Sequence, residues 1–273
     1  TPECGTEELV ALSTIDGSEK WRYSMVNRSG NIMYNVMPAL VGDAIVFADM
    51  SGALYKLSLK DGKELWYEPA VNPGTWSTGG MVVGPNNRVY VAANAVNTMA
   101  CNGQGILRAH DLATGEPLWN RSFDFALNVA PAVGALRSGG PLAVVLGVGD
   151  NLAPFPLPWW LKPIELFFVA RNRPQAPTVA LDAETGDLIW TFERPMYSYV
   201  NAGVSFDEIC APDVYGVPLI GADGTVYINW SGGKFYALKD ANGDGQIDSE
   251  DPAELQALHH GEGSNGESAI APG

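Results

Sequence analysis

Four gapless stretches of this chain repeat one pattern, and that repeat constrains the fold more than any other feature of the sequence. They span 12–21, 57–66, 110–119 and 181–190, as in Leu57-Ser58-Leu59-Lys60-Asp61-Gly62-Lys63-Glu64-Leu65-Trp66. In each, a tryptophan (Trp21, Trp66, Trp119, Trp190) follows a glycine (Gly17, Gly62, Gly115, Gly186) by four residues. A strand that enters a glycine turn and returns through a tryptophan strand is a β-hairpin. Glycine supplies the positive φ, and the Asp or Thr before it bonds the local backbone. Alternating strands precede the hairpins at 44–47, 88–91 and 225–228, so each unit is a sheet.

Successive turn glycines are 45, 53 and 71 residues apart, and setting aside the Pro-rich 27 residues 151–177 brings the last spacing to 44. A period near 45 with about four strands per unit is that of a β-propeller blade. A fifth unit begins at Phe235-Tyr236-Ala237-Leu238-Lys239-Asp240, with a longer acidic loop replacing the turn. The chain is therefore expected to be all-β, one domain over 1–273, with about five (five to six) four-stranded blades. A solenoid is the rival architecture, because periodicity alone does not demonstrate a closed ring.

The run Ala180-Leu181-Asp182-Ala183-Glu184-Thr185-Gly186 followed by Trp190 resembles the tryptophan-docking repeat of quinoprotein (PQQ-type) propellers. The likeness covers nearly the whole chain outside 151–177. It implies that the four tryptophans wedge between neighbouring blades as structural residues, in keeping with a large aromatic at one fixed position per unit. It also raises a quinoprotein oxidoreductase holding PQQ and calcium in a central channel. Dehydrogenases of that family are usually larger, eight-bladed rings, many with an adjacent Cys-Cys pair. This chain has five units and no neighbouring cysteines, which argues against PQQ.

The sharpest local signal is Asp240-Ala241-Asn242-Gly243-Asp244-Gly245-Gln246-Ile247-Asp248-Ser249-Glu250-Asp251. Asp240, Asn242, Asp244, Asp248 and Asp251 place side-chain oxygens at the EF-hand-type positions, Gln246 offers its carbonyl, and Gly245 sits at the sharp turn. Asp in the last place resembles the dockerin version of the loop. Calcium bracing a blade turn is the expectation for 240–251; an acidic solvated turn is the plainer reading.

Residues 151–177 interrupt the fourth unit with prolines, Trp159, Trp160, Phe167 and Phe168, flanked by Lys162, Arg171 and Arg173. Such an insertion fits a protein-docking or membrane-interface element; the alternative is a cover folded back on the propeller. Trp76 and Trp230 are candidates for a third role, glycan recognition on a propeller face.

With 16 basic against 31 acidic residues the net charge is −15, which opposes nucleic acid and anionic membrane surfaces. No apolar run reaches the length of a membrane-spanning helix, and the first residues lack a signal-peptide pattern, so any targeting peptide is expected to have been removed. Sequons at Asn27, Asn120 and Asn229 fit an extracytoplasmic setting (secreted, cell-surface, periplasmic or organelle lumen) and are candidate glycosylation sites. Cys4, Cys101 and Cys210 are read either as thiols or as one disulfide plus a cysteine whose partner lies elsewhere. The G-x-G-x-x-G match at 261–266 is read as a loop and the histidines as structural or surface residues, and no G-x-S-x-G, P-loop or H-E-x-x-H is present.

Only eight residues precede the first repeat strand at Leu9, so the first blade lacks its opening half. Ile270-Ala271-Pro272 repeats the blade opening of Val129-Ala130-Pro131. The N- and C-terminal strands are expected to share a blade and close the ring, with the natural chain continuing past Gly273. The function expected is a non-catalytic binding or assembly scaffold that engages a protein partner through 151–177.

Overall fold

The computed structural model describes residues 6–26, 33, 37–96, 103–149, 177–193, 216–230 and 233–259. The docking candidates Trp159, Trp160, Phe167 and Phe168, the sequon at Asn27, all three cysteines and the segment 260–273 lie outside them. Among the described residues no helix is long and apolar enough to cross a membrane.

Eighteen strands form one hairpin and four four-stranded sheets, all antiparallel meanders. Blade 1 is the hairpin β1 (Glu8–Leu12) and β2 (Glu19–Ser24). Blade 2 is β3 (Ala39–Val41), β4 (Ala44–Ala48), β5 (Leu54–Ser58) and β6 (Glu64–Glu68). Blade 3 is β7 (Gly80–Gly84), β8 (Arg88–Val96), β9 (Gln104–Asp111) and β10 (Pro117–Phe123). Blade 4 is β11 (Ala132–Ala135), β12 (Leu142–Gly147), β13 (Thr178–Asp182) and β14 (Leu188–Phe192). Blade 5 is β15 (Leu219–Ile220), β16 (Val226–Trp230), β17 (Lys234–Leu238) and β18 (Leu255–His259). Among the described residues the first unit comprises the hairpin β1–β2.

The cores lie between consecutive blades. Phe47 and Tyr55 pack with Trp21, Val46 and Leu54 with Val91, Tyr90 and Leu107 with Val144 and Leu181, and Ala180 with Ile228 and Tyr236. Central strands are thus covered on both sides: every residue of β4 is buried, which is why it reads as a continuous apolar run.

In the first four units the hairpin before the tryptophan is built alike. The glycine amide donates to the carbonyl four residues back, Gly62 to Ser58 at 2.9 Å and Gly115 to Asp111 at 2.8 Å, and the ladder shifts register beside the turn. Gly115 has φ +82, a left-handed conformation that β-carbons oppose. Asp111 Oδ1 accepts the amides of Ala113 and Thr114, both at 2.8 Å.

The meander sorts its connections onto two faces. Links such as 42–43, 59–63 and 112–116 are short turns on one face, whereas β2, β6, β12 and β14 end on the other, at Ser24, Glu68, Gly147 and Phe192. On the turn face the exception is the 16-residue link 239–254, which contains the acidic loop.

Candidate functional site

Each of the first three tryptophans docks on the turn of the next blade. Trp21 Nε1 donates to the Leu59 carbonyl at 2.9 Å, Trp66 to Leu112 at 3.2 Å and Trp119 to Ala183 at 3.2 Å. The accepting residue is in each case three before the turn glycine, and that glycine lies under the ring. A β-carbon on Gly62, Gly115 or Gly186 would stand 2.7–2.9 Å from the nearest atom of Trp21, Trp66 or Trp119. Repeat glycine and repeat tryptophan are therefore a contact pair across the first three blade seams.

At the fourth seam the partner turn is the acidic loop. Asp240 accepts the amides of Gly243 (2.7 Å) and Gly245 (3.1 Å), Asn242 Oδ1 that of Asp244 (2.8 Å), and Asp244 Oδ1 that of Gln246 (2.9 Å). Asp248 accepts the amide of Glu250 (2.9 Å) and Asp251 that of Ala253 (2.8 Å). The carboxylates are turned to their own backbone. Among the described residues no three His, Cys, Asp or Glu side chains converge as a metal-binding group.

A residue outside the motif closes the loop. Glu254, 1% exposed, accepts the amides of Ala241 (3.2 Å) and Asn242 (3.1 Å) on one oxygen and of Asp248 (2.9 Å) on the other. Three backbone donors compensate this buried carboxylate and tie both arms of the loop to the start of β18. Its sequence signal was an acid just before the strand, outside the 12-residue pattern.

Between blades 4 and 5 the loop borders a cleft of about 470 Å³ on the turn face, lined by Leu136, Arg137, Asp182, Trp190, Asp240 and Asp244 among others. Trp190 is 1% exposed and packs with Phe192, Trp230 and Ile247.

On the loop face, Trp76 is 43% exposed on the connection 69–79. Its position is held from beneath: Asn94 Nδ2 donates to the Trp76 carbonyl (2.9 Å) and Asn94 Oδ1 accepts the Leu127 amide (2.8 Å), while Thr78 Oγ1 donates to the Asn128 carbonyl (2.9 Å). Trp230, by contrast, is 1% exposed inside the core between blades 4 and 5, which corrects its candidacy for a glycan-binding face. Asn120 is exposed on the outer strand β10; Asn229 is half-buried in β16, paired with Phe235.

Arg108 and His110 are buried on β9 where blades 2 and 4 carry Tyr55 with Leu57 and Val179 with Leu181. Arg108 ties blade 3 to blade 2, donating to the carbonyls of Pro69 (3.0 Å) and Gly52. His110 Nδ1 donates to the Gly115 carbonyl at 2.9 Å inside its own turn, the structural role expected of it. Burial, with Arg108 nearby, lowers its pKa to about 4, so it is neutral.

Residues 3–135 match the family model described as outer membrane protein assembly factor BamB. Two curated relatives carry the same description. The protein of Vibrio cholerae is 27% identical over 122 residues, 45% of this chain and 31% of its own length. That of Burkholderia pseudomallei is 28% identical over 141 residues, 50% of this chain and 36% of its own. The matched region thus spans about a third of these relatives. Among solved structures, quinohemoprotein alcohol dehydrogenase from Comamonas testosteroni superposes with a TM-score of 0.56 at 16% identity, over 94% of this chain and 42% of that one. At that identity the likeness shows the fold alone, four-stranded antiparallel sheets resembling propeller blades. BamB from Moraxella catarrhalis aligns over 97% of this chain and 71% of its own, at 14% identity and a TM-score of 0.41.

Proposed function

We propose that this chain is a non-catalytic assembly scaffold of the BamB type, holding a protein component of an outer-membrane assembly machinery on the periplasmic side. The observation that carries this reading is the match of 3–135 to the assembly-factor model. The fold supports it by starting four long connections, after β2, β6, β12 and β14, on one face. There Trp76 presents an exposed aromatic on a backbone fixed by Asn94, the kind of pre-positioned anchor that dominates interface energetics. The connection between β12 and β13 carries the 151–177 insertion, whose Trp159, Trp160, Phe167 and Phe168 are proposed to add to the same interface.

The test is photocrosslinking in cells of the source organism, with p-benzoylphenylalanine replacing Trp76 on the loop face or Lys63 on the turn face. A specific adduct with an outer-membrane assembly component at 76 and none at 63 is expected. Equal labelling at both positions, or no adduct at 76, overturns the reading, as would quinone absorbance in the purified protein.

Two structural proposals accompany it. Calcium is proposed to bind Asp240, Asn242, Asp244, Asp248, Asp251 and the Gln246 carbonyl. Each carboxylate in its amide-bonded pose keeps free lone pairs for a cation, and Gly243 (φ +78) and Gly245 (φ +84) permit the sharp turn. The second proposal is ring closure by a strand from the C-terminal segment added to β1.

A further inference from the structure

The three docked tryptophans give their indole N–H to a carbonyl of the next blade, and the fourth has no such partner. Trp190 is buried and lines the cleft between blades 4 and 5, and among the described residues its N–H has no acceptor. The turn that would supply one is replaced by the acidic loop, whose Gly245 lies against the Ile189 carbonyl and not under the ring. The residue is buried yet lines the cleft, so a ligand oxygen there would give its N–H the acceptor that the other three tryptophans have.

The rest of the lining states which ligand. The cleft is lined by Asp182, Asp240 and Asp244 together with Arg137, which has no ion pair or side-chain hydrogen bond among the described residues. The excess charge is negative and selects a cation. Leu136 and Ile189 add an apolar surface suited to the methylenes of a long basic side chain. A bare cation offers nothing to the Trp190 and Arg137 donors, whereas a peptide carbonyl does, and the volume suits a side chain with its flanking backbone.

We propose that, while the 240–251 loop holds no calcium, this cleft binds a peptide segment bearing a lysine or arginine, its carbonyl accepting from Trp190 and its cation received by Asp182, Asp240 and Asp244. The site is on the face opposite Trp76, so its failure and that of the scaffold reading are separate results.

The experiment titrates the full chain, in EDTA to keep the loop free of cations, with acetyl-Ala-Lys-Ala-amide while indole ¹⁵N–¹H resonances are followed. The Trp190 signal is assigned by its loss in Trp190→Phe. That signal is expected to shift saturably with the lysine peptide and to stay fixed with acetyl-Ala-Glu-Ala-amide. Asp244→Asn keeps the oxygen that accepts the Gln246 amide and removes the charge, and should weaken binding about five-fold. No shift of the Trp190 signal overturns the proposal, and so does an equal shift with 1,4-diaminobutane, which would make the cleft a simple cation site. If Trp190→Phe does not fold, Asp244→Asn decides: unchanged affinity overturns the proposal.

Discussion

Gly115 illustrates what single residues do in this repeat. Gly115→Ala places an L-residue in a left-handed conformation, at about 1 kcal/mol, and drives a β-carbon to 2.9 Å from Trp66 Cδ2. Gly17 has the same turn and a φ of +73, and among the described residues nothing stands within 4 Å of its missing β-carbon. Gly17→Ala should therefore cost about 1 kcal/mol and Gly115→Ala at least twice that, by urea denaturation. Equal losses would show that the ring contact contributes nothing. His110 makes a second residue-scale case. Its folded pKa of about 4 lies below the roughly 6.5 of an unfolded chain, so between those values the unfolded state takes up a proton that the folded state refuses. Stability from this residue is complete above about pH 6.5 and is lost as pH falls towards 4. His110→Leu, the residue that blades 2 and 4 carry there, should flatten the decline in melting temperature across that window; an unchanged slope would sink this account.

At the scale of elements, the 240–251 loop separates what sequence conveys from what it conceals. The donor spacing named six ligating positions, but the pose of each carboxylate depends on the competition between a cation and nearby amides, which spacing does not encode. Glu254 escaped because its role is defined by three amides brought to it only when the loop folds. Glu254→Gln would turn an NH₂ towards an amide donor and should lower stability by about 1–3 kcal/mol. Calcium should raise the melting temperature of the parent chain and do so less in Asp240→Asn; no calcium response in either would end the metal proposal. The hairpins were legible for the opposite reason: glycine, tryptophan and their spacing are local, and the docking contact repeats with them. Arg108 and His110 were readable in principle, as polar residues in register with Tyr55 and Leu57, though only a position-by-position alignment of the units exposes them.

Among the described residues the interior blades bury both faces, and the first and last do not. Among the described residues β1 is paired by β2 on one edge, with the Thr6–Met33 bridge beyond it, and no described strand pairs with the other edge of Glu8–Leu12. On the far side of blade 5, Tyr227 and Phe235 stack at 6.0 Å and Leu258 is 66% exposed, whereas β4 has no exposed residue at all. An open strand edge carries unsatisfied donors and acceptors and invites pairing, so a propeller that persists in solution must cover it. If the C-terminal segment adds to β1, deleting 260–273 should accelerate hydrogen exchange at the β1 amides that point away from β2. Exchange at the central β4 and β12 should stay unchanged, because their pairing partners on both sides lie within their own blades. Unaltered exchange at β1 would mean that the edge is covered by something other than this segment, and ring closure through the C-terminus would then be excluded.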